Sequence, residues 1–460
     1  MKKDSSYYLD LIIHLLFFIL FIFSIVFFKE RLFSDSGYYI YRVIDSGGFA
    51  IGLNRFILLF SQILPVIAVN LGLSLKSILI LYSINHVLFF YILFLISRYI
   101  YKNKVAGLLL ILIQTIGIQS GFFTPMFELY YGAGFLILLD VILYKENHKL
   151  IDFILLIIIT LVALTSHPFT YFLFGFILLF HFIKYRWQYI YYYLAAIVLV
   201  GIVYVFKKYT ASDYEQSKTN SIIYLLHNGV YDVQYLKSLT IFLLQYYKEL
   251  LVLMLITTIV FIYKKEYLKT LLYLISFLFL LILINLSYYG FEHSRYQEQV
   301  YFPLSFIVVY TFINYVVKNC NAKYQISIYL FSSILFYFRI NEIRISGNSF
   351  TERVDKMEQL IIKCRTLNGN KFIVKINDLV QNNEFEISWS IPMETMLLSG
   401  LTPNEKTITI CTDDDMDTND NKLKLKPEEY LMRCWDIRED KSVNKKYFHL
   451  EDTEYILLKD

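Results

Sequence analysis

Apolar residues fill the first 340 positions in long runs, and polar residues gather in the short gaps between them. Crossing ~30 Å of hydrocarbon takes about 20 consecutive apolar residues in a helix. By that measure the spans are 8–28, 76–100, 104–121, 127–145, 150–166, 168–184, 188–206, 240–262, 267–287, 298–317 and 323–340. The stretch 50–70, "AIGLNRFILLFSQILPVIAVN", is also apolar but carries Asn54, Arg55, Gln62 and Pro65. A charge deep in a span costs roughly 2.5–3.5 kcal/mol on the insertion scale. The pattern therefore predicts an α-helical multi-pass membrane protein with about eleven transmembrane helices and one interfacial helix at 50–70.

Past residue 346 the pattern changes. Phe350, Val354, Met357, Leu360, Ile361 and Cys364 recur at helical spacing, and "NGN" then turns the chain. "KFIVKI" and "KTITICT" predict strands, with a helix in "IPMETMLLSGL" between them. "YLMRCWDI" and "TEYILL" predict further strands. The expected division is a transmembrane domain at 1–345 and a small soluble α/β domain at 346–460, large enough for its own core.

Basic residues orient the spans, because short cytoplasmic loops are rich in Lys and Arg. If 50–70 does not cross, one side receives Lys2, Lys3, Arg98, Lys102, Lys104, Lys145, Lys149, Lys184, Arg186, Lys264, Lys265, Lys269, Lys318 and Lys323. The opposite turns 122–126 and 166–168 carry no basic residue, and 288–297 carries only Arg295. If 50–70 did cross, Lys2 and Lys3 would be parted from the rest. The N-terminus is thus expected in the cytoplasm. Residues 32–49, the loop 207–239, the stretch 288–299 and the C-terminal domain are expected outside.

Composition agrees with a membrane chain. Hydrophobic residues make up 57% of the 460, and the mean hydropathy is +0.50. The net charge of +4 comes without a basic tract, which argues against nucleic acid. The first run, "YYLDLIIHLLFFILFIFSIVFF", is too long for a signal-peptide core and is read as a retained helix. Cys320, Cys364, Cys411 and Cys434 lack CxxC spacing, which removes zinc and thioredoxin-type readings. A disulfide among Cys364, Cys411 and Cys434 stays open.

The unusual polar residues gather on the outer face. Asp35, in "FSDSGYY", reads either as a helix cap or as a general base or metal ligand beside Tyr38, Tyr39 and Tyr41. Asp45, before Gly47 and Gly48, reads as a turn residue. Arg42 and Arg55 either snorkel to lipid phosphate or hold a substrate phosphate. Glu128 opens a helix, where an acid suits the dipole, yet it faces the compartment of Asp35. The two carboxylates are candidates to share a divalent cation. His167, in "TSHPF", is a turn residue or a donor to an anionic substrate.

The densest cluster is "YYGFEHSRYQEQVYFPL", with Glu292, His293, Arg295, Tyr296 and Glu298 against a span. Such density is costly there and points to function, with Arg295 suited to phosphate. His14 and His86 lie in apolar runs and read as packed, hydrogen-bonded core residues. "TDDDMDTNDN" has Thr418 and Lys424 where an EF-hand loop needs Gly and Glu, so calcium is set aside.

An acid just after the first span, a following helix along the membrane, a second outer acid, a late outer arginine and a C-terminal outer domain form an arrangement that resembles the GT-C class of integral-membrane glycosyltransferases. "FSDSGYY", residues 50–70, Glu128 and "EHSRYQEQVYFP" carry the likeness. The first loop has Asp35-Ser36 where several members have paired acids.

The resemblance implies transfer of a sugar from a polyprenyl-phosphate donor to a cell-envelope glycan, lipid or protein acceptor, at the outer face of a bacterial inner membrane. Asp35 and Glu128 would be catalytic, with a divalent cation, Mg or Mn, between them. Arg42, Arg55, His167, Glu292, His293, Arg295 and Tyr296 would bind substrate. Two alternatives are an O-antigen or exopolysaccharide polymerase, which usually lacks a folded tail, and a flippase or transporter. A transporter would bury charge at mid-membrane, and little is seen there.

Overall fold

The structure is a computed structural model and describes residues 5–145, 147–212, 215–217, 220, 223, 233–287, 298–320, 322–375, 387–417, 424–433 and 435–458. Glu292, His293, Arg295, Tyr296 and Cys434 lie outside them.

Helices dominate. They are α1 (Ser5–Val26), α2 (Asp35–Ser46), α3 (Leu58–Asn70), α4 (Leu75–Leu95), α5 (Ala106–Leu112), α6 (Glu128–Leu143), α7 (Leu150–Leu164), α8 (Pro168–Tyr185) and α9 (Ile190–Thr210). Further helices follow at Val233–Tyr246, Lys248–Tyr263, Tyr267–Ser287, Glu298–Thr311 and Ala322–Arg365. Among the described residues, six helical segments are long and apolar enough to cross a membrane: Tyr7–Val26, Leu75–Ile100, Pro168–Thr210, Tyr267–Leu286, Glu298–Val317 and Ile326–Arg365. The molecule is a helical membrane protein on this evidence.

Two of the predicted spans are built differently. The run 104–121 holds only α5, of seven residues, and then turns through Gly117 at φ +70°. Every residue of α5 is buried, so its apolar character serves the protein interior rather than lipid. The run 240–262 is split at Tyr247, whose conformation leaves the helical region. The stretch 50–70 forms α3, of 13 residues. At 1.5 Å per residue it is about 20 Å long, short of a ~30 Å crossing.

The last helix continues from Ala322 to Arg365 without a break at 346. The C-terminal strands are β1 (Lys371–Val374), β2 (Thr409–Thr412), β3 (Glu429–Arg433), β4 (Asp436–Glu439) and β5 (Ile456–Leu457). β1 lies between β2 and β5, parallel to both, and β3 pairs antiparallel with β4. A helix at Ile391–Ser399 packs on β2, where the Ile410 amide donates to Thr395 Oγ1 at 3.1 Å.

Among the described residues three hydrophobic clusters result, a small one being Ile373, Cys411, Met416 and Leu431. Of the two large ones, one is formed by α1, α4 to α9 and the helices that follow as far as Phe350. The other joins α2, α3 and the start of α4 to Val354, Met357, Ile361, Phe372, Met396, Ile410 and Tyr430 of the tail. Polar contacts reinforce this union. Tyr41 and Tyr430 share a hydroxyl hydrogen bond of 2.7 Å, Asn444 donates to Asp45 and to the Ile44 carbonyl, and the Tyr447 hydroxyl donates to the Leu73 carbonyl. The C-terminal strands are thereby fixed against the segment that follows α1.

Glu128 begins α6 and Lys145 lies just past its end, about 24 Å away along a 16-residue helix. Around Lys145 is a cavity of about 350 Å³ lined by Lys102, Lys104, Lys145 and Lys318. The acidic site and the lysines thus occupy opposite ends of one helix.

Candidate functional site

Asp35 is the first residue of α2, directly after Ser34, which adopts φ +56°, ψ −128°. That conformation is strained for a residue with a Cβ. It is held from the tail: the Ser34 amide donates to Glu394 Oε1 at 3.2 Å. Glu394 in turn accepts from Arg353 Nε at 3.0 Å and Nη2 at 2.9 Å, and from the Ser390 hydroxyl. The next turn is fixed as well. The Met126 amide donates to Ser36 Oγ at 3.2 Å, and the Tyr82 hydroxyl to the Ser36 carbonyl at 3.1 Å. Gly37 has no room for a Cβ, which would lie 2.2 Å from the Leu32 carbonyl oxygen.

Arg55 comes from the loop before α3. Leu53 and Asn54 both have positive φ, at 52° and 53°. Lys207 Nζ, at the end of α9, donates to both of their carbonyls, at 3.1 and 3.4 Å. Gln62 clamps the loop's start, accepting from the Ala50 amide at 2.7 Å and donating to its carbonyl at 2.8 Å. The polar residues inside 50–70 are therefore the fasteners that aim Arg55.

Arg55 Nη1 pairs with Glu128 Oε1 at 2.9 Å, and its Nη2 lies 3.8 Å from Glu215 Oε1. Glu128 stands on a loop held by Glu298 and Gln299. Glu298 accepts from the Gln119 and Gly121 amides, and Gln299 donates to the Thr124 carbonyl. His167 caps α8 by accepting the Phe169 amide on Nδ1 at 3.2 Å. That bond leaves the ring proton on Nε2.

The electrostatics tie these groups into one site. Burial, then the charge of Glu128, pushes Asp35 up to about 6, against the pull of Arg55 and Arg433. Burial, then Arg55 and Lys207, holds the His167 imidazole well below its usual value, so it is neutral at pH 7. Burial alone would lower the pKa of Arg55; its pairing with Glu128 raises it instead. Burial raises Tyr39, as do the charges of Glu128 and Asp35, so its hydroxyl keeps its proton beside both. Asp35 nevertheless retains exposed surface. Asp35 thus feels an interior environment while part of its surface reaches water.

Four residues singled out in the sequence, Asp35, Arg55, Glu128 and His167, thus meet although they come from four segments. Arg42 does not join them; it donates to the Tyr38 hydroxyl at 3.1 Å on the neighbouring face of α2. Asp45 is not a turn residue: it lies in the last turn of α2, where its carboxylate accepts the Asn444 amide of the tail at 3.1 Å. His14 is hydrogen-bonded to Tyr91 and Tyr99, as a packed histidine should be. His86 is buried and has no hydrogen-bond partner among the described residues, unlike the expectation for it. Glu292, His293, Arg295 and Tyr296 are outside the described residues.

Sequence reasoning missed Lys207, Glu215, Arg433 and two tryptophans. Arg433, on β3, lies over the Tyr38 ring at 4.2 Å and near Trp435 at 5.1 Å. Trp435, 54% exposed, packs on Trp389 with centroids 5.6 Å apart. No motif marks these residues: docking of the tail brings Arg433 and the tryptophans to α2, while Lys207 and Glu215 reach Arg55 and its loop from the end of α9 and just past it.

The cation already serving the carboxylates is Arg55, paired with Glu128 and acting on Asp35. Among the described residues no group of three His, Cys, Asp or Glu is placed to hold a metal ion. With Arg55 already paired to Glu128, these residues fit a divalent cation poorly.

No family model matches the chain, and no curated protein or solved structure matches it.

Proposed function

We propose that the protein is a membrane glycosyltransferase of GT-C type, using a polyprenyl-phosphate sugar and acting on a glycan, lipid or protein acceptor at the extracytoplasmic face. The observation that carries this reading is the electrostatic meeting of Asp35, Arg55, Glu128 and His167, four residues from four segments. In this reading the chain spans the membrane about eleven times, with α3 along the outer interface. The separation of the acidic site from the lysine-lined end, by a length near that of the hydrocarbon core, favours that topology.

The chemistry follows from the charges. Asp35, half-ionised near pH 6, takes the proton of an acceptor hydroxyl. The acceptor oxygen bonds to the anomeric carbon as the bond from that carbon to the phosphate oxygen breaks. Polyprenyl phosphate leaves, its charge met by the Arg55 guanidinium and by His167 Nε2–H. Tyr38 and Trp435, with Arg433 against both, offer aromatic faces on which a sugar ring stacks. The tail covers the site and supplies part of its wall.

Lipid-linked sugar profiles of cells with and without the protein test the reading. The expected result is accumulation of one polyprenyl-phosphate sugar and loss of one envelope modification, both restored by the wild-type chain but not by Asp35→Asn. Identical profiles would overturn it, and shortened polymer chains would favour a polymerase.

A further inference from the structure

Behind the acidic site, inside the helix bundle, is a second feature that the proposed reaction does not use. A cavity of about 40 Å³ is bounded by Arg31, His86, Tyr130 and Tyr131 among apolar neighbours including Phe90 and Phe122. Arg31 is 2% exposed, His86 5%, Tyr130 7% and Tyr131 1%.

Arg31 donates from Nη1 to Ser24 Oγ at 2.9 Å, and its guanidinium lies 4.2 Å above the Phe122 ring. Among the described residues no carboxylate pairs with it. Among the described residues, its Nε–H, both nitrogens of His86 and the hydroxyls of Tyr130 and Tyr131 have no hydrogen-bond partner. Five polar atoms on four nine-tenths-buried side chains thus border one small space.

A buried charge without a counter-charge costs several kcal/mol, and a buried donor without an acceptor costs about 1–3 kcal/mol. Burial lowers the Arg31 pKa only to about 9, so the guanidinium stays charged at pH 7. A neutral water satisfies donors but leaves the charge. An anion meets both demands, accepting from Arg31 Nε–H, from the protonated ring nitrogen of His86 and from the two phenols.

We propose that this cavity binds one small monovalent inorganic anion, of halide size. The volume sets the scale: a buried water needs about 10–15 Å³ of such space, so the cavity takes a few water-sized particles, enough for a halide with a water beside it and too little for a sugar phosphate. The anion would neutralise Arg31 and join α4 and α6 to the short segment between α1 and α2. The proposal stands on the cavity and its walls, and does not depend on the transferase reading.

The full-length protein, purified in detergent with gluconate as the only anion, gives the test. Adding sodium chloride or bromide should raise the unfolding temperature by several degrees and saturate, while sodium gluconate at equal ionic strength should not. Arg31→Gln should lose the response. A bromide-soaked crystal should show an anomalous peak within hydrogen-bond distance of Arg31 and His86. If Arg31→Gln fails to fold, the wild-type titration and the bromide peak decide together. Equal responses to halide and gluconate, a response that persists in Arg31→Gln, or an ordered water in place of bromide would each overturn the proposal.

Discussion

The strained entry to α2 is held by a buried ion pair, so the pair should be detectable in both stability and activity. Arg353 and Glu394 side chains are 1% and 3% exposed and meet through two parallel hydrogen bonds, at 3.0 and 2.9 Å. Arg353→Met removes the guanidinium and leaves Glu394 with the Ser34 amide and the Ser390 hydroxyl. Breaking one side of a buried pair costs about 3–5 kcal/mol, because the remaining charge stays desolvated.

Replacing both residues, Arg353→Met with Glu394→Met, removes that charge but strands the Ser34 N–H, at about 1–3 kcal/mol. The double variant should therefore be more stable than Arg353→Met alone. Reversible denaturant unfolding in detergent measures the stabilities, and a double-mutant cycle isolates the coupling. Transfer activity should fall in both variants: the double variant frees Ser34 from Glu394, and Arg353→Met leaves Glu394 without the guanidinium that positions it behind Ser34 and Asp35. A loss of less than about 0.5 kcal/mol in Arg353→Met, which is ordinary for a surface change, would refute the reasoning. So would a double variant less stable than the single.

Ser34→Gly relieves a positive φ and deletes a buried hydroxyl that has no hydrogen-bond partner; it should stabilise the fold by about 1 kcal/mol, read from the same unfolding curves. Arg55→Gln takes away a charge that holds the Asp35 pKa down, so the acid side of the activity profile should move to higher pH. If Arg55 is the cation that serves the carboxylates, EDTA should leave transfer in membranes unchanged; loss on chelation, restored by Mg or Mn, would return Asp35 and Glu128 to a metal role.

The sequence made Asp35, Arg55, Glu128 and His167 visible because a charge or imidazole beside an apolar span is costly enough to stand out. Counting spans led to the expectation that these helix ends share a side, and the structure brings the four residues together. The span count itself was less legible. The run 104–121 is as apolar as a lipid-facing helix, but it is apolar because protein surrounds it, and composition does not separate the two environments. The helix from Ala322 to Arg365 passes the change in composition at 346, since a backbone helix carries from an apolar to an amphipathic pattern without a break. Arg433, Trp435 and the Arg353–Glu394 pair had no local signal. They matter only because the tail shares a core with α2 and α3, a contact between residues some 350 positions apart.

Transfer rate against pH, in membranes bearing wild type or Asp35→Asn, tests the central claim most directly. A general base works when ionised. Its pKa is raised to about 6 in the folded site, so wild-type activity should climb through pH 6, level off above pH 7 and fall away on the acid side. Asp35→Asn should show no transfer at any pH while reaching normal abundance. A flat wild-type profile between pH 5 and 8, or wild-type rates in Asp35→Asn, would contradict the account.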